Sequence, residues 1–251
     1  GGKTLKKSGS DGSGFLYLES LGHHIIDLVP GLIGLKGKQS FFADIAGIRA
    51  DVKVDLYIES THVCSEQGEL QLTNYGISGI PVFQLSRVAT RALSEQKEVY
   101  ATLNFVPFWE KEQCLTYFKE RFKTADEKRI GEALIGFFPE KLIPVLLEES
   151  HIKAAKYANR LQTEELERFI DTVQGLRVDI TDWNTFDTAQ VTAGGVDTDE
   201  IDAETMESKL CPGLYFAGEM VDIDGICGGY NLQWAWSSGA VAGIHVAREL
   251  S

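Results

Sequence analysis

Apolar and polar positions alternate most cleanly in "DVKVDLYIES", where Val52, Val54, Leu56 and Ile58 share one face, the period of a half-buried strand. "GELQL" repeats the pattern with Leu70 and Leu72, and "EVYATLNF" does so with Val99, Ala101, Leu103 and Phe105. Between them "SGIPVFQLSRVATRAL" predicts a helix, with Pro81 in the first turn where a missing amide is tolerated. Upstream, "DGSGFLYLESLGHH" predicts a short helix with Asp11 as its N-cap and Gly22 as its stop.

After Pro107 the spacing becomes helical throughout. Leu115, Phe118 and Phe122 form one stripe, Ile130, Leu134, Phe137 and Phe138 a second, and Leu166, Phe169, Ile170 and Val173 a third. Thr124 and Glu127 stand at capping-box spacing, Thr163 is a second expected cap, and Pro139 and Pro144 are expected to break the middle. Strand character returns at "LRVDITDW" and at "GLYFAGE", and a final helix follows. The last unit, a strand, a glycine corner and a helix, is half of a βαβ arrangement. An α/β layer needs more strands than this to cover both faces.

Length and charge narrow the function. A chain of 251 residues can build one large domain or two to three small ones. A net charge of −13, with no Lys/Arg stripe, argues against nucleic acid as a partner, although backbone amides can still hold a nucleotide cofactor. Cys64, Cys114, Cys211 and Cys227 are scattered, with no pair at metal or redox spacing. The run "DTDEIDAETMESK" lacks EF-hand spacing, so it reads as a solvated loop and no metal site is expected. No signal peptide or membrane-length apolar run is visible, which predicts a soluble, cytoplasmic protein with no membrane partner. The opening "GGKTLKKSGSDGSG" lacks Met and reads as a processed chain or the middle of a longer polypeptide.

The chemistry concentrates in "GLYFAGEMVDIDGICGGYNLQWAWSSGAVAG". Gly218 lets the backbone approach a ligand, and Glu219 places a carboxylate at the carboxyl edge of the expected strand, where α/β folds bind. A pair of polyol hydroxyls is the natural donor to such a carboxylate. Gly228, Gly229, Tyr230 and Asn231 open a helix, so their amides and the positive dipole end favour a group that becomes anionic, as a reduced flavin does. Thr192, Gly194 and Gly195 permit close approach to a ring face. The bland alternative is a strand–glycine–helix joint that holds nothing.

The words "VTAGGV", "ETMESK", "GLYFAGE" and "GGYNLQWAWSSG", in this order, resemble the BaiN-like, aminoacetone-oxidase-like family of NAD(P)/FAD-dependent oxidoreductases. "GGKTLKKSGSDGSGFLYLESLGH" and "GELQLTNYGISGIPVFQLSR" are similar to further family segments, so the resemblance covers essentially the whole chain. It implies an α+β multidomain fold: a partial dinucleotide-binding α/β flavin domain interrupted by an inserted β-barrel-like part and a small helical bundle. The implied division is 1–31 and 191–251 for the flavin domain, 32–108 with the return strand 175–190 for the β part, and 109–174 for the helical part. FAD is the implied cofactor, NAD(P)H a candidate reductant and a small organic molecule the substrate.

Two departures stand out. The family's G-x-G-x-x-G fingerprint, which seats the FAD pyrophosphate, is absent, and Gly12-Ser13-Gly14 follows no apolar strand. The chain alone is therefore expected to purify colourless, without FAD or turnover, and to self-associate through uncovered apolar surface. Asn74 stands where relatives have His, which weakens the case for a general acid there, although Asn can still hydrogen-bond a substrate. Tyr75 reads as a polar contact or as a barrel-core tyrosine. Cys227 precedes a helix N-terminus, where a thiolate with a lowered pKa could serve redox chemistry, or it is a small loop filler. His23 and His24 are expected to meet the last carbonyls of the preceding helix, His245 is structural, and no triad partner is visible. Against the flavin oxidoreductase stands a second class, a non-catalytic binding module formed by the β and helical insertion.

Overall fold

The computed structural model of the chain describes residues 1–249, apart from the Ser8 side chain. In chain order the elements are α1 (Ser13–Ser20), β1 (Ile25–Gly31), β2 (Leu35–Gly37), α2 (Phe42–Ile45), β3 (Arg49–Ile58), β4 (Thr61–Thr73) and β5 (Gly76–Gly79). Then come α3 (Ile80–Ser94), β6 (Val99–Asn104), α4 (Lys111–Lys123), α5 (Ile130–Leu134), α6 (Leu142–Glu149) and α7 (Thr163–Gly175). The chain continues through β7 (Leu176–Trp183), β8 (Val191–Val196) and α8 (Tyr230–Glu249). These elements form two compact units. One holds Gly1–Gly34, Ser86–Glu95 and the chain from Trp183 onward, and the other holds Leu35–Leu85 and Gln96–Asp182.

The second unit contains a closed barrel in the order β2-β5-β4-β3-β6-β7. The predicted alternation fills it, with Val52, Val54, Leu56, Leu70, Leu72 and Leu103 each at most 1 % exposed, and Ile77 of β5 joins them. Register aligns these side chains in rows, with Leu56 opposite Ala101 and Ala101 opposite Val178. Six strands leave room only for side chains, so the barrel is a packed core and not a ligand cavity. A register shift after Leu56 leaves Ile58 half-buried at the rim. On the outer surface the Arg177 guanidinium lies 3.7 Å from the Tyr100 ring centroid, and Tyr100 stacks on Tyr57 at 4.7 Å. Tyr57 in turn meets His62 edge-on, so the ladder crosses four strands.

The helices of this unit bury the predicted stripes around Phe118, Phe122, Ile130, Leu134, Phe138, Phe169 and Ile170. Three local expectations are corrected. Thr124 does not open a helix: it ends α4, its hydroxyl donating to Glu120 O at 2.9 Å. The second cap is Gln162, one residue before Thr163, and its N–H donates to Glu165 Oε2 at 2.8 Å. Pro144 does not break a helix but sits in the first turn of α6, where amides have no partner within the helix.

The first unit holds a two-stranded antiparallel sheet, β1 with β8, running from Ile25 opposite Val196 to Gly31 opposite Val191. Leu18, Val196, Ile201, Met206, Phe216, Val221 and Ala242 form its core. Before α1, Asp11 Oδ1 accepts the Ser13 N–H at 2.9 Å, while Gly12, at φ 83°, occupies the cap itself. "GLYFAGE" is corrected. Ala217 is extended, yet the segment forms only an isolated bridge between Tyr215 and Glu207. Extended backbone becomes a strand only beside a ladder partner. Here the pairing ends after Phe216 N–H to Met206 O and Ser208 N–H to Leu214 O.

Candidate functional site

Gly218 is fixed to α8 at both ends of its peptide units. Its N–H donates to Ser238 Oγ at 2.9 Å, and its carbonyl accepts from Trp234 Nε1 at 3.1 Å. The residue has φ 62°, and a Cβ there would lie 3.4 Å from the Ala235 Cβ, so glycine meets both the backbone and the packing demand. Trp234 and Ser238 are four residues apart on one helix face, which is why both reach the same glycine.

That lock presents Glu219. Its Oε1 accepts the Thr192 N–H at 3.0 Å, and the Gly2 amide also donates to the carboxylate. Burial pushes the Glu219 carboxyl above its ordinary range, against the pull of these two amides, and Asp224 adds to the rise. Thr192 Oγ1 accepts from the Lys3 N–H at 2.7 Å, which ties the first residues to β8. Gly194 and Gly195 have φ 96° and 140°. A Cβ at Gly194 would strike Asp27 O at 2.4 Å, and one at Gly195 would strike Met220 O at 2.8 Å, so these glycines admit the chain's own backbone.

Downstream, Asp222 Oδ1 accepts the Gly194 N–H at 3.1 Å. Asn231 clamps the loop through Gly225: its Oδ1 accepts the Gly225 N–H and its Nδ2 donates to Gly225 O, both at 2.8 Å. Gly228, Gly229 and Tyr230 are exposed at the start of α8, and a Cβ at Gly229 would meet nothing within 4 Å. One unit thus brings together Thr192, Gly194, Gly195, Gly218, Glu219, Gly228, Gly229, Tyr230 and Asn231. Asn74 and Tyr75 belong to the other unit, in the turn between β4 and β5. Asn74 is exposed there and Tyr75 is half-buried, so Tyr75 is not a barrel-core side chain.

The cysteine and histidine expectations divide. Burial pushes the Cys227 thiol above its ordinary range, so the helix start does not produce a low-pKa thiolate. His23 meets the end of α1 through its backbone, its N–H donating to Leu18 O at 3.1 Å, while its ring turns elsewhere: Nδ1 lies 2.7 Å from Glu200 Oε2, and Nε2 lies 3.0 Å from Ser208 Oγ. The triad partners missed in the sequence therefore exist. Ser208 is buried, however, and its oxygen already accepts the Leu210 and Cys211 amides, which leaves no accessible nucleophile.

Residues 1–245 match the HI0933-like protein Rossmann domain, and the chain belongs to this family, the flavoprotein family that its sequence words resemble. It is 45% identical over 243 residues to the 3-dehydro-bile acid delta(4,6)-reductase of Clostridium scindens, covering 97% of this chain and 59% of that protein. It is 29% identical over 238 residues to the ribosomal RNA dihydrouridine synthase of Escherichia coli, covering 95% and 57% of the two chains. The dihydrouridine synthase of Haemophilus influenzae is 27% identical over 253 residues, covering 99% and 59%. The chain spans about three fifths of the length of these curated relatives. Among the described residues no helix is long and apolar enough to cross a membrane.

Proposed function

We propose that the protein is a flavin-dependent oxidoreductase that reduces a carbon–carbon double bond conjugated to a carbonyl in a small organic substrate. The observation that carries this reading is the chemistry shared by the relatives' names. A 3-dehydro delta(4,6) bile acid has its double bonds in line with a carbonyl, and the uracil double bond that gives dihydrouridine is likewise conjugated to one. The net charge of −13 and the higher identity to the bile acid reductase favour a small molecule over RNA.

Two features of the corner support a role at the ribityl and ring end of FAD. Glu219 has a carboxylate with acceptor capacity beyond its two amides, and the space before Gly229 is open. Bound FAD supplies the hydride carrier, with NAD(P)H the candidate donor. Glu219 would be the acceptor for ribityl hydroxyls, and the first amides of α8 would supply donors that favour negative charge on the reduced ring. Asn74 and Tyr75 are candidate polar contacts for the substrate. No G-x-G-x-x-G following an apolar strand occurs in this sequence, so the reading assigns no pyrophosphate contact to it.

The test uses the whole protein loaded with FAD under anaerobic conditions. Reduced protein should be reoxidised by an α,β-unsaturated ketone with release of the saturated ketone. No reoxidation by any such ketone, with reoxidation by other acceptors retained, contradicts the substrate class. The rival reading, a binding module without redox chemistry, predicts that the whole protein never retains flavin.

A further inference from the structure

Glu219, Asp222 and Asp224 place three carboxylates within six residues, and α3 faces two of them with guanidinium groups one helical turn apart. Arg87 Nη1 lies 3.2 Å from Asp224 Oδ1, and the Asp224 side chain is only 8% exposed. Arg91 Nη2 lies 3.3 Å from Asp222 Oδ1, the same oxygen that accepts the Gly194 amide. Asp224 is followed directly by Gly225, which the Asn231 side chain clamps to the start of α8. A continuous path therefore runs from α3 through two ion pairs and one clamped peptide to the helix end that carries Gly228–Asn231.

The pairs differ from the ordinary surface pairs of this chain. Arg49 and Glu69, for example, are 61% and 57% exposed, where water screens most of the attraction. Asp224 is almost dehydrated, so losing its cation leaves a buried charge unbalanced. Burial pushes the Asp224 carboxyl up while Arg87 and Arg91 pull it down, and the Asp224 charge reaches Glu219.

We propose that Arg87 and Arg91 are positioning residues that hold the loop Val221–Cys227, and with it the N-terminal turn of α8, in place for the cofactor. Nothing in the binding residues themselves is supplied by α3; its contribution passes through Asp222 and Asp224. The proposal rests on the flavin reading only for the cofactor it positions.

Two measurements test it. In the 251-residue chain, hydrogen exchange over Val221–Asn231 should accelerate about tenfold or more in the Arg87→Met/Arg91→Met double variant, while β3 and β6 stay unchanged. Asp224→Asn should loosen the same loop, Arg87→Lys/Arg91→Lys should restore most of the protection, and Arg49→Met should have no effect there. In the FAD-loaded whole protein, the Met variant should shift the flavin potential to more negative values, because two unneutralised carboxylates oppose the anionic reduced form. Unchanged loop exchange in both the double variant and Asp224→Asn overturns the proposal. Loosening with unchanged potential and FAD dissociation reduces the pairs to structural contacts and overturns it as well. Failure of the wild-type whole protein to bind FAD instead contradicts the flavin reading, and the exchange result stands by itself.

Discussion

Glu219 carries a heavier load than its place after a glycine indicates. It accepts backbone amides from two distant segments, so its carboxylate organises the corner before any ligand arrives. In the FAD-loaded protein Glu219→Ala should weaken cofactor retention by about 1–3 kcal/mol, the cost of removing a hydrogen-bonded charged partner. Flavin retained through dialysis as firmly as in wild type contradicts its role. A second residue-scale prediction concerns Glu165, whose carboxylate Lys156 Nζ approaches at 2.5 Å. Hydrogen bonding from Lys156 holds the Glu165 carboxyl below its ordinary range. The folded state then gives up that proton at lower pH than the unfolded chain does. The stabilisation is complete above the ordinary glutamate pKa of ~4.3 and disappears as pH falls through the folded value. Lys156→Met should therefore cost about 1 kcal/mol at neutral pH, with the gap to wild type closing below roughly pH 4 in urea titrations.

At the scale of elements, two substitutions separate the locked joint from the barrel. Gly218→Ala combines a left-handed backbone with contact on Ala235 and should cost about 1–2 kcal/mol, with altered Trp234 fluorescence as its bond to the Gly218 carbonyl shifts. Tyr100→Ala removes one ring stack and one cation–π contact from the barrel surface, a loss of about 1–2 kcal/mol in thermal melts. Strands β3, β6 and β7 are readable in the sequence because one face is buried and the other wet, which writes the period directly into residues such as Val52, Val54 and Leu56. β1 is harder to see, since Pro30 interrupts its apolar run and is tolerated only because the strand lies at an edge. The first half of β4 is mostly polar and lies exposed or half-buried, so no periodicity announces it. Conversely "GLYFAGE" has strand composition without a ladder. Composition encodes a strand's readiness to pair, and the partner must come from elsewhere.

The site divides along the same line. Gly218, Glu219 and the Gly228–Asn231 turn are visible as a glycine corner beside a carboxylate. The devices that fix them, Trp234, Ser238 and Asp222, are not, because each acts on a residue distant in the chain. The spacing of Trp234 and Ser238 on one helix face was the available signal.

For the whole molecule, the unit built on the barrel and helices has its own core. The segment from about Leu32 to Trp183 should outlast the termini in limited proteolysis, and early cleavage within Leu35–Leu85 or Gln96–Asp182 contradicts this. The other unit leaves apolar side chains uncovered: on α8, Leu232 is 61% and Trp236 69% exposed. We propose that the 251-residue chain self-associates through this surface, which Trp236→Glu should reduce in sedimentation velocity measurements. Without the pyrophosphate fingerprint the same chain should purify colourless. Reduction of a conjugated enone is tested most directly by anaerobic turnover of the FAD-loaded whole protein. The flavin absorption band, bleached by reductant, should return on adding a conjugated enone, with stoichiometric formation of the saturated ketone. A protein that carries FAD but leaves such enones unreduced would contradict that substrate class.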